Sequence, residues 1–158
     1  MNHLISAIDS TVKLKQPLPF SIYRSIKEQH LLSVPIAKPL FIAVLSGNKE
    51  LGKTADVVCN AGDFIFLSDS SVIDMRNIPQ EKEYFALLIE FEYADFIGLQ
   101  SIATKNLPFC IGKITPLLEK CLQQFVEWSA IASDQLVANR KKRYYNYFAK
   151  WATVTCYL

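Results

Sequence analysis

From Pro19 to about Phe91 the chain keeps switching between short β-branched or aromatic runs and turn-forming residues, and no other feature constrains its fold as tightly. Such punctuation belongs to consecutive short antiparallel strands, because each run is long enough for one strand and too short for a helix. The spacing predicts strands over 20–27, 40–45, 64–67, 72–76 and 84–91. Between them lie Pro35 to Pro39, Gly47-Asn48, Asn60-Ala61-Gly62-Asp63 and 77–80, which supply the fixed or positive φ that reversals need. An all-β barrel or sandwich follows. Phe41-Ile42-Ala43-Val44-Leu45 and Phe64-Ile65-Phe66-Leu67 are apolar on both faces, so something must cover the outside of these strands or fill the inside.

The pattern changes after Asn106. Thr115-Pro116 sets a capping hydroxyl before a proline suited to the first helical position. Beyond it Ile114, Leu117, Leu118, Cys121, Leu122, Phe125 and Trp128 recur at three- and four-residue intervals, opposite Glu119, Lys120, Gln123 and Gln124. Ser133-Asp134 offers a second helix start, leading through Leu136 and Val137 into the basic run Arg140-Lys141-Lys142-Arg143. The expected layout is an N-terminal arm over 1–19, a β unit over 20–106, a helical segment over 107–143 and a tail over 144–158.

Composition limits the function classes. At 51% hydrophobic and 20% charged over 158 residues, the chain should fold as a single domain. Seventeen basic against fifteen acidic side chains leave a net charge of +2, too little to imply a nucleic-acid partner. The first fifteen residues lack the basic and continuously apolar regions of a secretory signal, and no apolar run approaches the length of a membrane span, so a soluble cytoplasmic protein with no membrane partner is expected. Cys59, Cys110, Cys121 and Cys156 form no C-x-x-C pair and read as reduced, mostly small apolar residues.

Three stretches in order resemble the cupin-like N-terminal domains of AraC-type transcription regulators. They are 39–49, a strand followed by Gly47 and Lys49; 59–68, with the turn Ala61-Gly62-Asp63 before a Phe-Ile-Phe-Leu strand; and 83–91, similar to that family's long central strand. The resemblance spans roughly 20–143. It implies a fold that is mainly β with C-terminal α, a cupin-like antiparallel barrel followed by two helices. It also implies a small-molecule effector in the barrel, a homodimer through the helix starting near Thr115, and DNA contact only through a C-terminal domain with no counterpart in this chain.

Metal-dependent cupins hold their metal with a close pair of histidines, a carboxylate and a later histidine. This chain has only His3 and His30, far apart, so no metal, cofactor or catalytic residue is expected. No G-x-S-x-G elbow appears either. Strand alternation offers Tyr23, Arg24, Phe41, Phe66, Met75 and Tyr84 as walls of a ligand pocket, aromatic with a few polar groups; the alternative is that these rings pack a closed core and that Arg24 points into solvent. The spacing Ile114, Leu118, Cys121, Phe125, Trp128 is the a/d repeat of a coiled-coil seam and marks a dimer interface. Its alternative is a helix docked on its own domain. The run 140–143 beside Tyr144, Tyr145 and Tyr147 reads as a solvated helix end.

The tail 144–158 departs from the family's pattern. Read from the third base of each codon, Tyr144-Tyr145, Asn146-Tyr147 and Cys156-Tyr157 each force Leu, Trp151-Ala152 forces Gly and Ala152-Thr153 permits Tyr, close to what the family shows. A frameshift near Arg143 that removed a DNA-binding half is therefore expected. Besides the regulator, two further classes fit the sequence: a small cupin-fold enzyme, and a stand-alone interaction module that pairs with intact regulators.

Overall fold

The structure is a computed structural model and describes residues 1–55, 57–67, 71–92 and 109–131. Its elements are α1 (Asn2–Val12), β1 (Ser21–Ser25), β2 (Gln29–Ile36), β3 (Leu40–Ser46), β4 (Asn48–Leu51), β5 (Val57–Asn60), β6 (Asp63–Leu67), β7 (Ser71–Ile78), β8 (Tyr84–Glu90), β9 (Phe109–Lys113) and α2 (Pro116–Ile131). The strands form two antiparallel sheets, one ordered β1-β8-β3-β6-β9 and the other β2-β7-β4-β5.

The expected cupin-like barrel is not what forms: neither sheet closes on itself. The reason lies in the corners. β3 pairs with β6 and β8, whereas β4, one residue later, pairs with β5 and β7 in the other sheet. Gly47, at φ +77°, lets the chain make that step; a Cβ there would lie 2.5 Å from the Ile78 carbonyl oxygen. The turn at Gly62 does the same between β5 and β6, braced by Gly62 N–H donating to Val44 O at 2.9 Å and Asn60 N–H donating to Asp63 Oδ2 at 2.9 Å. Most consecutive strands thus alternate between sheets, which meet through side chains rather than a shared hydrogen-bond ladder.

Both faces of the five-stranded sheet are buried, as the doubly apolar strands require. One face, with Phe41, Ala43, Leu45, Phe64, Phe66, Phe85, Leu87 and Ile89, packs against Leu4 and Ile8 of α1 and Leu118, Leu122, Phe125 and Val126 of α2. The other, with Leu40, Ile42, Val44, Ile65, Leu67, Tyr84 and Ala86, packs against Ile36, Leu51, Cys59, Ile73 and Met75 of the second sheet.

Two further expectations change. The stretch 1–19, expected as an N-terminal arm, contains a helix, α1, whose Leu4, Ile8 and Thr11 make a buried stripe at helical spacing. The helix expected from Ser133, the run 140–143 and the tail 144–158 fall outside the described residues. Cys59 and Cys121 are free thiols, whereas Cys110 is disulfide-bonded, so the four cysteines are not all reduced.

α2 begins as expected, with Leu118 N–H donating to Thr115 Oγ1 at 3.2 Å and Glu119 N–H to Thr115 O at 2.8 Å. Among the described residues no helix is long and apolar enough to cross a membrane.

Candidate functional site

The inner face of the four-stranded sheet carries one polar row in an otherwise apolar surface. Register places Gln29 opposite Asn77, Asn77 opposite Lys49 and Lys49 opposite Cys59, so residues of β2, β7, β4 and β5 stand side by side on one face. Two residues along each strand, the next row on that face is Leu31, Met75, Leu51 and Val57, all packed in the core between the sheets. The interior is therefore amphipathic along the strands, polar at the Gly47 end and apolar beyond it.

Lys49 is the centre of the polar row. Only 4% of it is exposed. Its Nζ donates to Asn77 Oδ1 at 2.7 Å and lies 5.6 Å from the centroid of the Tyr84 ring in the opposing sheet. Burial pushes its amine down to about 8, because an ammonium stripped of water is costly. The neighbouring groups are polar but uncharged. Burial pushes the Cys59 thiol up to about 11, reinforced by the nearby Asp63 carboxylate, and pushes the Tyr84 phenol up as well. Tyr84 Oη and Gln29 Oε1 are buried without a hydrogen-bond partner, and such groups carry a desolvation cost unless something satisfies them.

A surface cleft of about 370 Å³ borders this row, lined by Arg24, Ser25, Ile26, Lys27, Gln29 and Glu83. Gln29 belongs to both.

The six residues proposed from the sequence as pocket walls do not share one space. Tyr23, Met75 and Tyr84 lie between the sheets, with the Tyr23 and Tyr84 rings edge to face at 6.1 Å. Phe41 and Phe66 lie on the opposite face, under the helices, where Phe41 stacks on Phe64 at 5.2 Å. Arg24 is also on the helix side: its guanidinium sits 3.9 Å over the Phe85 ring, donates to Asp9 Oδ1 at 2.5 Å and pairs with Glu83 at 3.6 Å. It fastens α1 to the sheet.

Of the five seam residues, Leu118 and Phe125 are buried within the chain's own core, and Ile114 and Cys121 pack partly against it. Trp128 is 42% exposed. The sequence did not single out Gln29, Lys49, Cys59 or Asn77 as site residues; their polarity carries no periodic signal, and only the cross-strand register reveals that they stand in one row. Among the described residues no group of three or more His, Cys, Asp or Glu could hold a metal ion.

No protein-family model and no curated protein matches the sequence. Solved structures do match. ToxT from Vibrio cholerae bound to an unsaturated fatty acid superposes with a TM-score of 0.61 at 9% identity, covering 86% of this chain and 53% of ToxT. A second ToxT structure gives 0.61 at 13% identity over 84% of this chain and 55% of ToxT. ToxT bound to (E)-4-(8-methylnaphthalen-1-yl)but-3-enoic acid gives 0.56 at 14% identity over 87% and 58%. The chain thus shares the fold of a large part of ToxT over most of its own length, and spans just over half the length of ToxT.

Proposed function

We propose that this chain is the effector-sensing and dimerising part of an AraC-family transcription regulator, that it works in the cytoplasm, and that a small, mainly apolar molecule binds between its two sheets. The observation that carries this reading is the fold shared with ToxT, an AraC-family regulator, over 86% of the chain. The independent sequence resemblance at 39–49, 59–68 and 83–91 supports it. ToxT has been seen with two apolar carboxylic acids, and the interior here has the make-up of a small-ligand site, apolar walls with few polar groups. DNA contact belongs to a separate domain, and no catalytic role is assigned to this one.

Dimerisation would use the face of α2 turned away from the core. Leu117, Cys121, Gln124, Trp128 and Ile131 repeat at four- and three-residue spacing on that face, with Leu117 50% and Ile131 82% exposed. This line shares Cys121 and Trp128 with the seam read from sequence and replaces the residues the core consumes.

Native mass spectrometry of the purified chain, with denaturing mass spectrometry beside it, tests both parts. A dimer carrying an additional organic mass is the expected result, with Trp128→Glu converting it to a monomer. A ligand-free monomer that gains no mass from added apolar compounds would overturn the reading.

A further inference from the structure

We infer that the cleft at the β1–β2 turn, lined by Arg24, Ser25, Ile26, Lys27, Gln29 and Glu83, binds a free, zwitterionic α-amino acid. This site is on the surface, separate from the packed core between the sheets, and it stands or falls independently of the effector reading.

The turn is fixed by its own sequence. β1 ends at Ser25 and β2 begins at Gln29 in the other sheet, so residues 26–28 carry the chain across. Ser25 Oγ donates to Lys27 O at 2.5 Å and accepts from Lys27 N–H at 3.2 Å. Such a local side-chain turn sets the backbone from which Lys27 projects. Arg24 is held in turn by Phe85 and Asp9, and Glu83 precedes Tyr84, which pairs with Ser25.

The charges of the cleft select the ligand. Arg24 and Lys27 are basic, Glu83 is acidic, and Asp9 pairs with Arg24 from α1. These four sum to zero, so a net anion or a net cation leaves one charge uncompensated, whereas a molecule bearing both signs does not. Arg24 and Glu83 stand 3.6 Å apart, too far for a hydrogen bond, and both keep capacity for a third group. A guanidinium has five donors, and Arg24 gives one hydrogen bond to Asp9. Gln29 Oε1 is buried without a partner and is an acceptor that an ammonium satisfies. The carboxylate of the ligand takes its hydrogen bonds from Lys27 and Arg24, and its ammonium donates to Glu83 and Gln29. Ile26, 78% exposed, offers an aliphatic surface to the ligand's side chain. A volume of about 370 Å³ suits a small molecule.

Titration calorimetry of the whole chain tests the site with L-leucine, with N-acetyl-leucine, which lacks the ammonium, and with leucine methyl ester, which lacks the carboxylate. Wild type is expected to bind leucine about tenfold or more tightly than either derivative, the scale of one lost charge-assisted contact. Lys27→Gln should erase most of the preference for leucine over the ester, and Glu83→Gln most of the preference over N-acetyl-leucine. Thermal unfolding without ligand verifies that each variant is folded. Three results overturn the site: no leucine binding by wild type, either derivative binding as tightly as leucine, or undiminished leucine binding by a folded Lys27→Gln. None of them touches the effector reading, which the mass retained in the native spectrum decides.

Discussion

Lys49 on β4 and Asn77 on β7 stand directly opposite each other, and the hydrogen bond from Nζ to Oδ1, 2.7 Å long, lies wholly inside the core between the sheets. A charge held there makes folding depend on pH in a definite direction. The folded chain gives up the Lys49 proton near pH 8, while the unfolded chain keeps it to about the ordinary value of 10.5. Between those values the unfolded state binds the extra proton, so stability rises with pH, by up to about 1.4 kcal/mol per pH unit. Above pH 9 the trend is opposed, because burial keeps the Cys59 thiol protonated to about 11 when the unfolded chain has lost that proton, and Tyr84 acts likewise higher still. Urea unfolding at half-unit steps should show stability increasing from pH 8 to 9, with the increase absent in Lys49→Met.

Gly47 and Gly62 separate two kinds of glycine requirement. Gly47→Ala meets both the positive φ and the Ile78 carbonyl oxygen 2.5 Å away, whereas Gly62→Ala, at φ +93°, meets nothing within 4 Å. The first should cost about 2–4 kcal/mol and the second about 1 kcal/mol. Thermal unfolding of the two variants checks the order; equal losses would mean that the corner between the sheets is not tight.

Arg24→Ala should destabilise the chain by about 1–2 kcal/mol, more through the lost stacking on Phe85 than through the half-exposed ion pairs with Asp9 and Glu83. Because the contact joins β1 to α1, amide exchange should accelerate in α1 well before it does in β3 or β8. Uniform acceleration would show that α1 does not open separately.

On α2, Leu122 is fully buried and Leu117 is half exposed. Leu122→Ala is expected to cost about 2–5 kcal/mol. Leu117→Ala should change the stability of the monomer by no more than about 0.5 kcal/mol while weakening the dimer in sedimentation equilibrium. A large monomer effect of Leu117→Ala would place that face against the chain itself.

Much of this architecture is legible in the residues. The runs that became β1, β3, β6, β7 and β8 have dense apolar or β-branched content, and Thr115-Pro116 marks the start of α2 to the residue. β2 carries Pro35 and mixed polar residues and β4 is a four-residue strand rich in polar side chains, so their strand character comes from pairing rather than composition, while β5, though β-branched, is only four residues long. α1 hides for a different reason: its buried stripe consists mainly of Leu4 and Ile8, too little periodicity to stand out before it packs on α2. The division into two sheets rather than one closed barrel was not readable, because it turns on which edge each strand pairs with at the Gly47 and Gly62 corners. The placement of the candidate wall residues was readable only in part. Tyr23, Met75 and Tyr84 do meet between the sheets, but Phe41 and Phe66 share the alternation of a strand buried on both sides, and one-dimensional alternation cannot say which buried side is which.

The helix-covered face of the five-stranded sheet also sets an order of events during synthesis. Phe41, Phe64, Phe66 and Phe85 are made early, yet part of their cover is α2, which ends at Ile131. A nascent chain that has reached β8 presents a wide aromatic surface with α1 alone to shield it. Such surfaces are what chaperones hold and what aggregates when translation stalls. The sheet cannot reach its final burial until the ribosome has delivered the far end of α2, so this face closes only late in synthesis.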